Sequence, residues 1–318
     1  MRRAQGPAAE GVHKTWGGWT PREVPFDAEL GSRWSPCGAR SEVGRLSHVL
    51  IAVPSRRSIG RSDVDDHLML MAPRPRIHRR QATGLGRLYE SLGVRVTRVP
   101  TPPGLPNFVF LRDLFFMTPW GAVLGRPAPI ARAGEERYAA AALAKLGVPI
   151  VALMTGSATF EGADAVWITH DVVAVGVGVR TNSQGFDLLR AILAAMGITA
   201  VMIPLAAPAQ HLLGTFVPLS ENVACIVEGR TPHAAAALAQ ESGYNLIEFG
   251  PSDEILNGRG LNFVCVAPRV VVLPDRAPNV ARILRESAAI CYSTPVGEYV
   301  KAAGGVACAT GILHRRDD

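Results

Sequence analysis

The stretch AVWITHDVVAVGVGVRTNSQGFDLLRAILAAMGITAVMI, from Ala165 to Ile203, contains the alternation that decides the fold. Two short apolar segments, residues 165–169 and 172–177, are typical of strands. A helix is predicted over residues 184–196, and a further apolar segment over 200–203 is predicted as a strand. The stretch therefore indicates a unit of strand, strand, helix and strand.

The same order recurs from Ser41 to the end of the chain. Five cycles of roughly 50 residues indicate a repeat architecture, although sequence identity between the cycles is slight. The predicted strands are 46–53, 94–99, 108–117, 122–125, 149–153, 165–169, 172–177, 200–203, 212–219, 223–227, 245–248, 262–267, 270–273 and 289–291. The predicted helices are 83–92, 134–146, 184–196, 232–242 and 279–288.

Repeats of this kind close most simply into a ring, with the helices outside and one end of the central strands facing a common axis. Loops from different cycles then meet at that axis. A doubly wound sheet is the competing architecture. Residues 1–40, rich in Gly, Pro, Arg and Trp and without a clear period, are predicted to form an N-terminal tail or irregular cap, and residues 41–318 a single domain.

Composition narrows the class of protein. Among the 318 residues, 48% are hydrophobic and 19% are charged, which is enough apolar material for a buried core. The net charge is +6, but no basic run is interleaved with aromatic residues, so nucleic-acid binding is not expected. The longest apolar runs are shorter than a membrane span, so no membrane association is expected.

The cysteines indicate the compartment. Their number is five, an odd count, and they lack the paired spacing of zinc sites. The basic start of the chain is not followed by an apolar segment of signal-peptide length. We therefore expect a reducing, cytoplasmic location.

Cys308 lies in the segment KAAGGVACATG, residues 301–311, where small residues on both sides allow a tight turn and the approach of a ligand. Asp113, Glu161 and His211, in segments upstream, are the candidate partners of Cys308. In a ring, these four residues come from four separate cycles and meet in one pocket. A cysteine, a histidine and carboxylates suit the attack of a thiolate on a planar, positively charged carbon.

Several short segments resemble the guanidino-group-modifying superfamily, which includes arginine deiminases, dimethylarginine dimethylaminohydrolases, amidinotransferases and arginine dihydrolases. The resemblance covers roughly residues 41–316, and the order and spacing of the segments are more specific than any one of them. They are NFVFLRD at 107–113, FEGAD at 160–164, RTN at 180–182, HLLG at 211–214 and the Cys308 segment. The resemblance implies a five-bladed pseudo-symmetric α/β propeller, or pentein, built of ββαβ repeats.

The resemblance also implies roles. Cys308 would be the nucleophile, His211 the proton carrier and Glu161 the group that orients it. Arg180 would hold a substrate carboxylate, and Asn107 would lie at the mouth of the pocket. The remaining substrate-binding candidates are Asp113, Arg112 and Asp164.

Two departures from the family pattern bear on the substrate. Deiminases and amidinotransferases carry an aspartate two residues after the histidine, whereas this chain has Leu213. The segment GLNFV at 260–264 and the ending GILHR at 311–315 look closest to arginine-dihydrolase-like members. That branch more often has Gly-Cys-Leu where this chain has Ala307-Cys308-Ala309, so the side chain of the substrate stays open.

The sequence thus predicts a hydrolase of C–N bonds in a small-molecule guanidino substrate, arginine or a derivative. No metal or other cofactor is expected, because the substrate carries the positive charge and the cysteine supplies the nucleophile. An amidinotransferase is the first alternative, and a non-catalytic binding member of the fold is the second. The sequence leaves open whether the chain forms a homo-oligomer.

Overall fold

Five small sheets make up the computed structural model, which describes residues 22–55 and 64–316. Each sheet has three strands: an inner strand runs antiparallel to the middle strand, and the middle strand pairs in parallel with the outer one. A helix connects each middle strand to its outer strand, as a parallel pair requires. This is the predicted five-bladed α/β propeller, so the predicted fold class is confirmed and the doubly wound sheet is wrong.

The blades are numbered in chain order of their middle strands, and the strands as β1 to β15. The first blade is β15–β1–β2, and the following blades are β3–β4–β5, β6–β7–β8, β9–β10–β11 and β12–β13–β14. The strands are β1 Leu46–Val53, β2 Arg95–Pro100, β3 Phe115–Thr118, β4 Gly121–Leu124, β5 Ile150–Leu153, β6 Ala165–Trp167, β7 Val172–Val177, β8 Thr199–Pro204, β9 Phe216–Ser220, β10 Val223–Val227, β11 Asn245–Phe249, β12 Val264–Ala267, β13 Val270–Pro274, β14 Ile290–Thr294 and β15 Thr310–Arg315.

The ring is closed by the two ends of the described chain. The last strand, β15, pairs antiparallel with β1 and becomes the inner strand of the first blade. In addition, β12 contacts both β9 and β1, while β3 contacts β15, so consecutive blades are neighbours around the ring. The sequence analysis did not predict β15 as a strand.

Five helices connect middle to outer strands, and they agree with the predicted helices except at their ends. Their bounds are Pro75–Ser91, Glu135–Lys145, Ser183–Ala194, His233–Glu241 and Pro278–Glu286. The first begins eight residues before its predicted start, with Pro75 in the first turn. Proline is favoured there, because N–H groups of the first turn have no acceptor within the helix. Four short helices, Leu111–Leu114, Asp253–Leu256, Gly297–Lys301 and Val306–Ala309, were not predicted.

Three predicted strands are wrong in their first halves. Residues 108–114 form a 3-10 turn and one helical turn before β3, rather than a continuous strand. Residues 212–214 form a 3-10 turn before β9, and β12 begins at Val264 rather than at residue 262. The first two runs contain buried apolar stretches, 108–111 and 212–213, and periodicity cannot separate a short buried turn from a strand.

The core lies between neighbouring sheets and under the helices. Between the second and third blades, Phe116 and Trp167 stack with ring centroids 5.5 Å apart. Of the predicted tail, residues 1–21 lie outside the described residues, while Cys37 and Ala39 are buried against the second blade. None of the helices in the described part of the chain combines the length and the apolar character needed to cross a bilayer.

Candidate active site

A polar residue lies in the turn before the inner strand of every blade. Going round the ring, these residues are Cys308, Asp113, Glu161, His211 and Asn262, and they precede β15, β3, β6, β9 and β12. Because the inner strands surround the axis, equivalent turns bring these side chains towards one another. The structure therefore groups the four residues that the sequence pointed to and adds a fifth, Asn262.

Glu161 is fully buried and fixes His211. Its Oε2 atom is hydrogen-bonded to Nε2 of His211 at 2.7 Å, and its Oε1 atom accepts from Arg180 Nη1 at 3.3 Å. Burial alone would raise the pKa of Glu161, but the imidazole bond and the neighbouring cations lower it to about 2. Glu161 is therefore ionised and holds the ring of His211 in one orientation.

The carboxylates around His211 keep it protonated. Burial alone would lower the pKa of His211, but Asp113, Asp164 and Glu161 together raise it to about 9. An imidazolium at neutral pH can donate a proton to a departing amine.

Asp164 is buried behind His211 and raises its pKa without contacting the imidazole through a hydrogen bond. It accepts hydrogen bonds from Thr181 Oγ1 at 2.6 Å and from the backbone N–H of Leu212 at 3.2 Å. Burial raises its pKa to about 7. Because Leu212 follows His211 directly, these bonds position the backbone that carries the imidazole.

Arg132 occupies the space between the buried carboxylates. Its Nη1 atom donates to Asp113 Oδ2 at 2.6 Å and to Glu161 Oε2 at 3.4 Å, and its Nε atom donates to Glu135 Oε2 at 3.0 Å. All four side chains are at least 95% buried, so each charge requires a partner. The second oxygen of Asp113, Oδ1, is buried and has no hydrogen-bond partner among the described residues.

Cys308 is held by Asn262. The Nδ2 atom of Asn262 donates to Cys308 Sγ at 3.1 Å, and its Oδ1 atom accepts from the backbone N–H of Ala307 at 2.8 Å and of Cys308 at 3.3 Å. Burial and the charge of Asp113 raise the pKa of the Cys308 thiol, whereas the bond from Asn262 and the charge of Arg259 oppose that rise. Without a ligand, the thiol form is thus favoured, and a cation beside it would favour the thiolate.

The glycines before Cys308 are required for space rather than for an unusual backbone angle. A Cβ atom on Gly304 would overlap the ring of Phe110, and one on Gly305 would lie 2.6 Å from Asn262 Oδ1. The left-handed residue of this segment is Ala303, with φ of 72°. Close packing of the turn, rather than a glycine-specific turn, sets the position of the thiol.

Two cavities meet at the reactive pair. The acid cavity, about 50 Å³, is lined by Asp113 and nearby residues and reaches His211 and Cys308. Its other lining residues are Leu68, Asn107, Phe110, Arg132, Arg180, Gln210, Ala302, Ala303 and Gly304. The arginine cavity, about 250 Å³, also reaches His211 and Cys308 and is lined by Arg112, Arg230 and Arg259.

The four remaining candidates from the sequence lie in three different surroundings. Asn107 and Arg180 line the acid cavity, and Asn107 Nδ2 donates to the carbonyl of His67 at 2.7 Å. Arg112 lines the arginine cavity and forms a buried ion pair with Glu42 at 2.7 Å. Asp164 contacts Thr181 and Leu212, as described, and neither cavity is lined by it.

The three side chains Asp113, Glu161 and His211 have ligand atoms within 4.8 Å of one another, a spacing that a metal ion could use. The guanidinium of Arg132 already contacts both carboxylates, and Glu161 is bonded to the imidazole. A metal at this point would have to displace a buried cation. The donor set therefore suits a guanidinium better than a metal ion.

Comparison with known proteins agrees with this architecture. Residues 94–227 match the family model described as arginine deiminase. An uncharacterized protein, YkgA, from Bacillus subtilis is 28% identical over 281 residues, which cover 87% of this chain and 94% of YkgA. An N(G),N(G)-dimethylarginine dimethylaminohydrolase of Mycobacterium tuberculosis is 28% identical over 234 residues, covering 72% of this chain and 74% of that protein.

Two solved structures show the same fold. One is a dimethylarginine dimethylaminohydrolase from Pseudomonas aeruginosa in complex with citrulline, with a TM-score of 0.71, 21% identity, and coverage of 86% of this chain and 100% of that one. The other is the N-terminal domain of ArgZ, a cyanobacterial arginine dihydrolase bound to its substrate. Its TM-score is 0.69, with 19% identity and coverage of 84% of this chain and 98% of that one. The sequence matches show which class of protein this chain is similar to: guanidino-group-modifying enzymes, among them arginine deiminases and dimethylarginine dimethylaminohydrolases. The solved structures show that the chain shares their fold.

Sequence reasoning missed Asn262, Arg132 and Glu135 as residues of the site. For Asn262 a signal existed, because the repeat places it before the inner strand of the fifth blade, where the other blades have their polar residues. Arg132 and Glu135 come from the connection between β4 and the helix Glu135–Lys145. Nothing in their local sequence separates them from surface charges.

Proposed function

We propose that this protein is a cysteine-dependent hydrolase that cleaves a C–N bond of a guanidino substrate, arginine or a derivative of it, through a covalent thiouronium intermediate. One observation carries the proposal. The thiol of Cys308, the imidazole of His211 and an unpartnered carboxylate oxygen of Asp113 belong to residues that line the same cavity.

Asp113 supplies the substrate site. Its Oδ2 atom is held by Arg132, while Oδ1 is buried without a donor among the described residues, which is a costly state for a carboxylate oxygen. An N–H group of a guanidinium would satisfy that oxygen. The guanidinium would also bring a positive charge to Cys308, so substrate binding itself would lower the pKa of the thiol.

The reaction then has two stages. When the cationic substrate binds, the Cys308 thiol loses its proton to solvent, because His211 is already protonated. The Cys308 thiolate then attacks the central guanidino carbon, and His211, as an imidazolium, donates its proton to the amine that leaves. Neutral His211, still oriented by Glu161 through Nε2, next takes a proton from water, and the hydroxide attacks the thiouronium carbon. The C–S bond breaks, and the thiolate of Cys308 is regenerated.

The product depends on how often water attacks. A single cycle on arginine gives citrulline and ammonia. A second hydrolysis gives ornithine with a second ammonia and carbon dioxide. The resemblance to arginine-dihydrolase-like members supports the second outcome, while Leu213 and the Ala307 and Ala309 neighbours of Cys308 support a derivative of arginine as the substrate.

The test is incubation with a panel of guanidino compounds, with ammonia release and product masses as readouts. The panel comprises arginine, methylated arginines, agmatine and guanidinobutyrate. We expect Cys308→Ser to reduce turnover at least about 10³-fold and to abolish the covalent adduct trapped by acid quenching. The control is Cys291→Ser, because Cys291 belongs to β14 and bonds only to backbone carbonyls. Unchanged turnover in Cys308→Ser would contradict the proposal.

An amidinotransferase is the second candidate, because the arginine cavity gives an amine a separate route to Cys308. In that reaction an amine, rather than water, attacks the thiouronium carbon. Ornithine that forms from arginine only when an acceptor amine is added would favour transfer. Ammonia release without any added amine would favour hydrolysis.

A further inference from the structure

The arginine cavity is larger than the acid cavity and differs from it in charge. Both share Gln210, His211, Ala303 and Cys308, so the thiol and the imidazole lie where the two cavities meet. The acid cavity is lined by the carboxylate of Asp113 and by Arg132 and Arg180, whose charges are balanced by bonds to Asp113 and Glu161. Among the described residues that line the arginine cavity there are three arginines and no carboxylate.

Two of these arginines are uncompensated. Arg112 is neutralised by Glu42, through bonds of 2.7 and 3.2 Å. The side chains of Arg230 and Arg259 form no hydrogen bond or ion pair with another residue of the described ranges, 22–55 and 64–316. The positive charge of Arg259 also acts on Cys308, which places it close to the reactive sulfur.

Two buried donors at this cavity are without acceptors. The Nε atoms of Arg112 and Arg259 are both buried and have no hydrogen-bond partner among the described residues. Buried N–H groups without acceptors are rare in native structures and require an explanation. Arg259 is moreover held in a left-handed conformation, with φ of 57°, an unusual state for arginine that is enriched at functional sites.

We propose that the arginine cavity binds an anionic group, such as a carboxylate, carried by the amine that leaves or enters the guanidino carbon at Cys308. This inference rests on the proposed function. The guanidino carbon would lie at the sulfur, with one nitrogen at Asp113 and another directed into the arginine cavity. The apolar side chains of Leu213, Ile255 and Leu261 line the cavity and suit a short methylene chain between that nitrogen and the anion.

This anion can belong to either of two molecules. In one case it is on a substituent of the guanidino substrate, and cleavage by Cys308 releases an amino acid, protonated by His211. In the other case it is on a separate amino acid, whose neutral amine attacks the thiouronium carbon and displaces the thiolate. The same cavity and the same arginines serve both cases.

The primary test compares alkylation of Cys308 by iodoacetate and by iodoacetamide. The two reagents are similar in size and react with the same thiolate, so the ratio of their rate constants reports the electrostatic environment and not the thiol pKa. We expect Arg259→Gln to lower the iodoacetate-to-iodoacetamide ratio about tenfold and Arg230→Gln to lower it severalfold, since Arg230 is exposed. Arg259→Lys should retain the ratio, because it keeps the charge.

The matched control is Arg282→Gln, which removes an exposed arginine that is paired with Glu286 outside both cavities. Modification is measured at Cys308 by peptide mass spectrometry on variants with unchanged melting temperature. If Arg259→Gln does not fold, Arg230→Gln and Arg259→Lys still decide the question. A ratio that the charge-removing variants leave at the wild-type value overturns the anion site.

Two turnover measurements distinguish the sources of the anion. If the wild type cleaves Nω-carboxymethyl-arginine faster than Nω-ethyl-arginine and Arg259→Gln loses this preference, the anion belongs to a substituent of the guanidino substrate. Formation of guanidinoacetate from arginine and glycine, lost in the same variant, supports the separate amino acid. Alkylation requires no turnover, so a charge-dependent ratio with no cleavage of any guanidino compound overturns the proposed reaction and leaves the anion site standing.

Discussion

At the scale of single residues, the site is organised around charge that is buried but paired. His211 remains protonated because carboxylates surround it, although burial favours the neutral ring. Cys308 remains a thiol because burial and Asp113 disfavour the thiolate. The resting pair is therefore an acid and a thiol, and in the proposed reaction a cationic substrate would convert the thiol into a nucleophile.

The pKa of His211 tests this account. Asp164 raises that pKa without lining either cavity, so Asp164→Asn should lower it from about 9 towards the ordinary value of 6.5. NMR titration of the imidazole in the wild type and the variant measures the change. The alkaline limb of kcat should move to lower pH by the same amount. An imidazole that titrates identically in both proteins would contradict the assignment of Asp164 as a positioning residue.

Asn262 offers a second test at this scale. Asn262→Ala removes the donor to Cys308 Sγ and the acceptor for two backbone N–H groups, so the thiol pKa should rise and turnover should fall about tenfold to a hundredfold. The rate of iodoacetamide modification as a function of pH gives the thiol pKa directly. Asn257→Ala is the control, because Asn257 is exposed and bonds only to Asp253. Equal thiol pKa values in Asn262→Ala and the wild type would contradict the prediction.

At the scale of elements, the turn before each inner strand carries one residue of the candidate site. The sequence predicted the middle strands almost to the residue, as for β1, β7 and β10, because these short apolar runs are rich in Val and Ile and too short for a helix. It extended strands into these turns, since a segment such as 108–111 is as apolar as a strand. Site residues were thus identified by chemical type, while their local structure followed from tertiary packing.

The helix Gly297–Lys301 shows how one element positions the Cys308 turn. Glu298, 2% exposed, accepts from the backbone N–H and Nε of Arg74, at 2.6 and 3.1 Å, and from Lys301 Nζ at 3.0 Å. These bonds hold the helix Gly297–Lys301, which precedes the Cys308 turn, against the start of the helix Pro75–Ser91.

Glu298→Ala should lower the free energy of unfolding by about 2 kcal/mol, because it leaves the Arg74 N–H and the Lys301 ammonium without their acceptor. Urea denaturation measures the change. Glu286→Ala, at an exposed ion pair, should change stability by less than about 0.5 kcal/mol. Equal losses in the two variants would show that Glu298 acts as an ordinary surface charge.

At the scale of the whole molecule, closure of the ring determines whether the site exists. The five repeats and their ring were predictable from the order of strands and helices. The pairing of β15 with β1 was not, because the contact joins residues more than 250 positions apart and no local pattern reports such a partner. Arg132 and Glu135 were also missed, because tertiary packing within the second blade and against the third brings Arg132 to Asp113 and Glu161, and no local pattern reports it.

Leu313 tests the closure. It lies in β15, is fully buried and packs in the core shared with β1 and the second blade. Leu313→Ala should lower the free energy of unfolding by about 2–5 kcal/mol, because it leaves a cavity in that core. Thermal and urea unfolding measure the loss, and Leu188→Ala, at an exposed position, serves as the control. A loss no larger than that of the control would contradict a stabilising role for the closing strand.

Cys308, the proposed nucleophile, directly precedes the strand that completes the ring, so both are synthesised after the fourteen other strands of the five blades. A nascent chain in which Thr310–Arg315 has not yet been synthesised already contains Asp113, Glu161 and His211. Without β15 to pair with β1, it cannot bring these side chains to the Cys308 thiol. The proposed reactivity of Cys308 therefore requires the closed ring, and we expect a chain that ends before Thr310 to carry a thiol of ordinary reactivity.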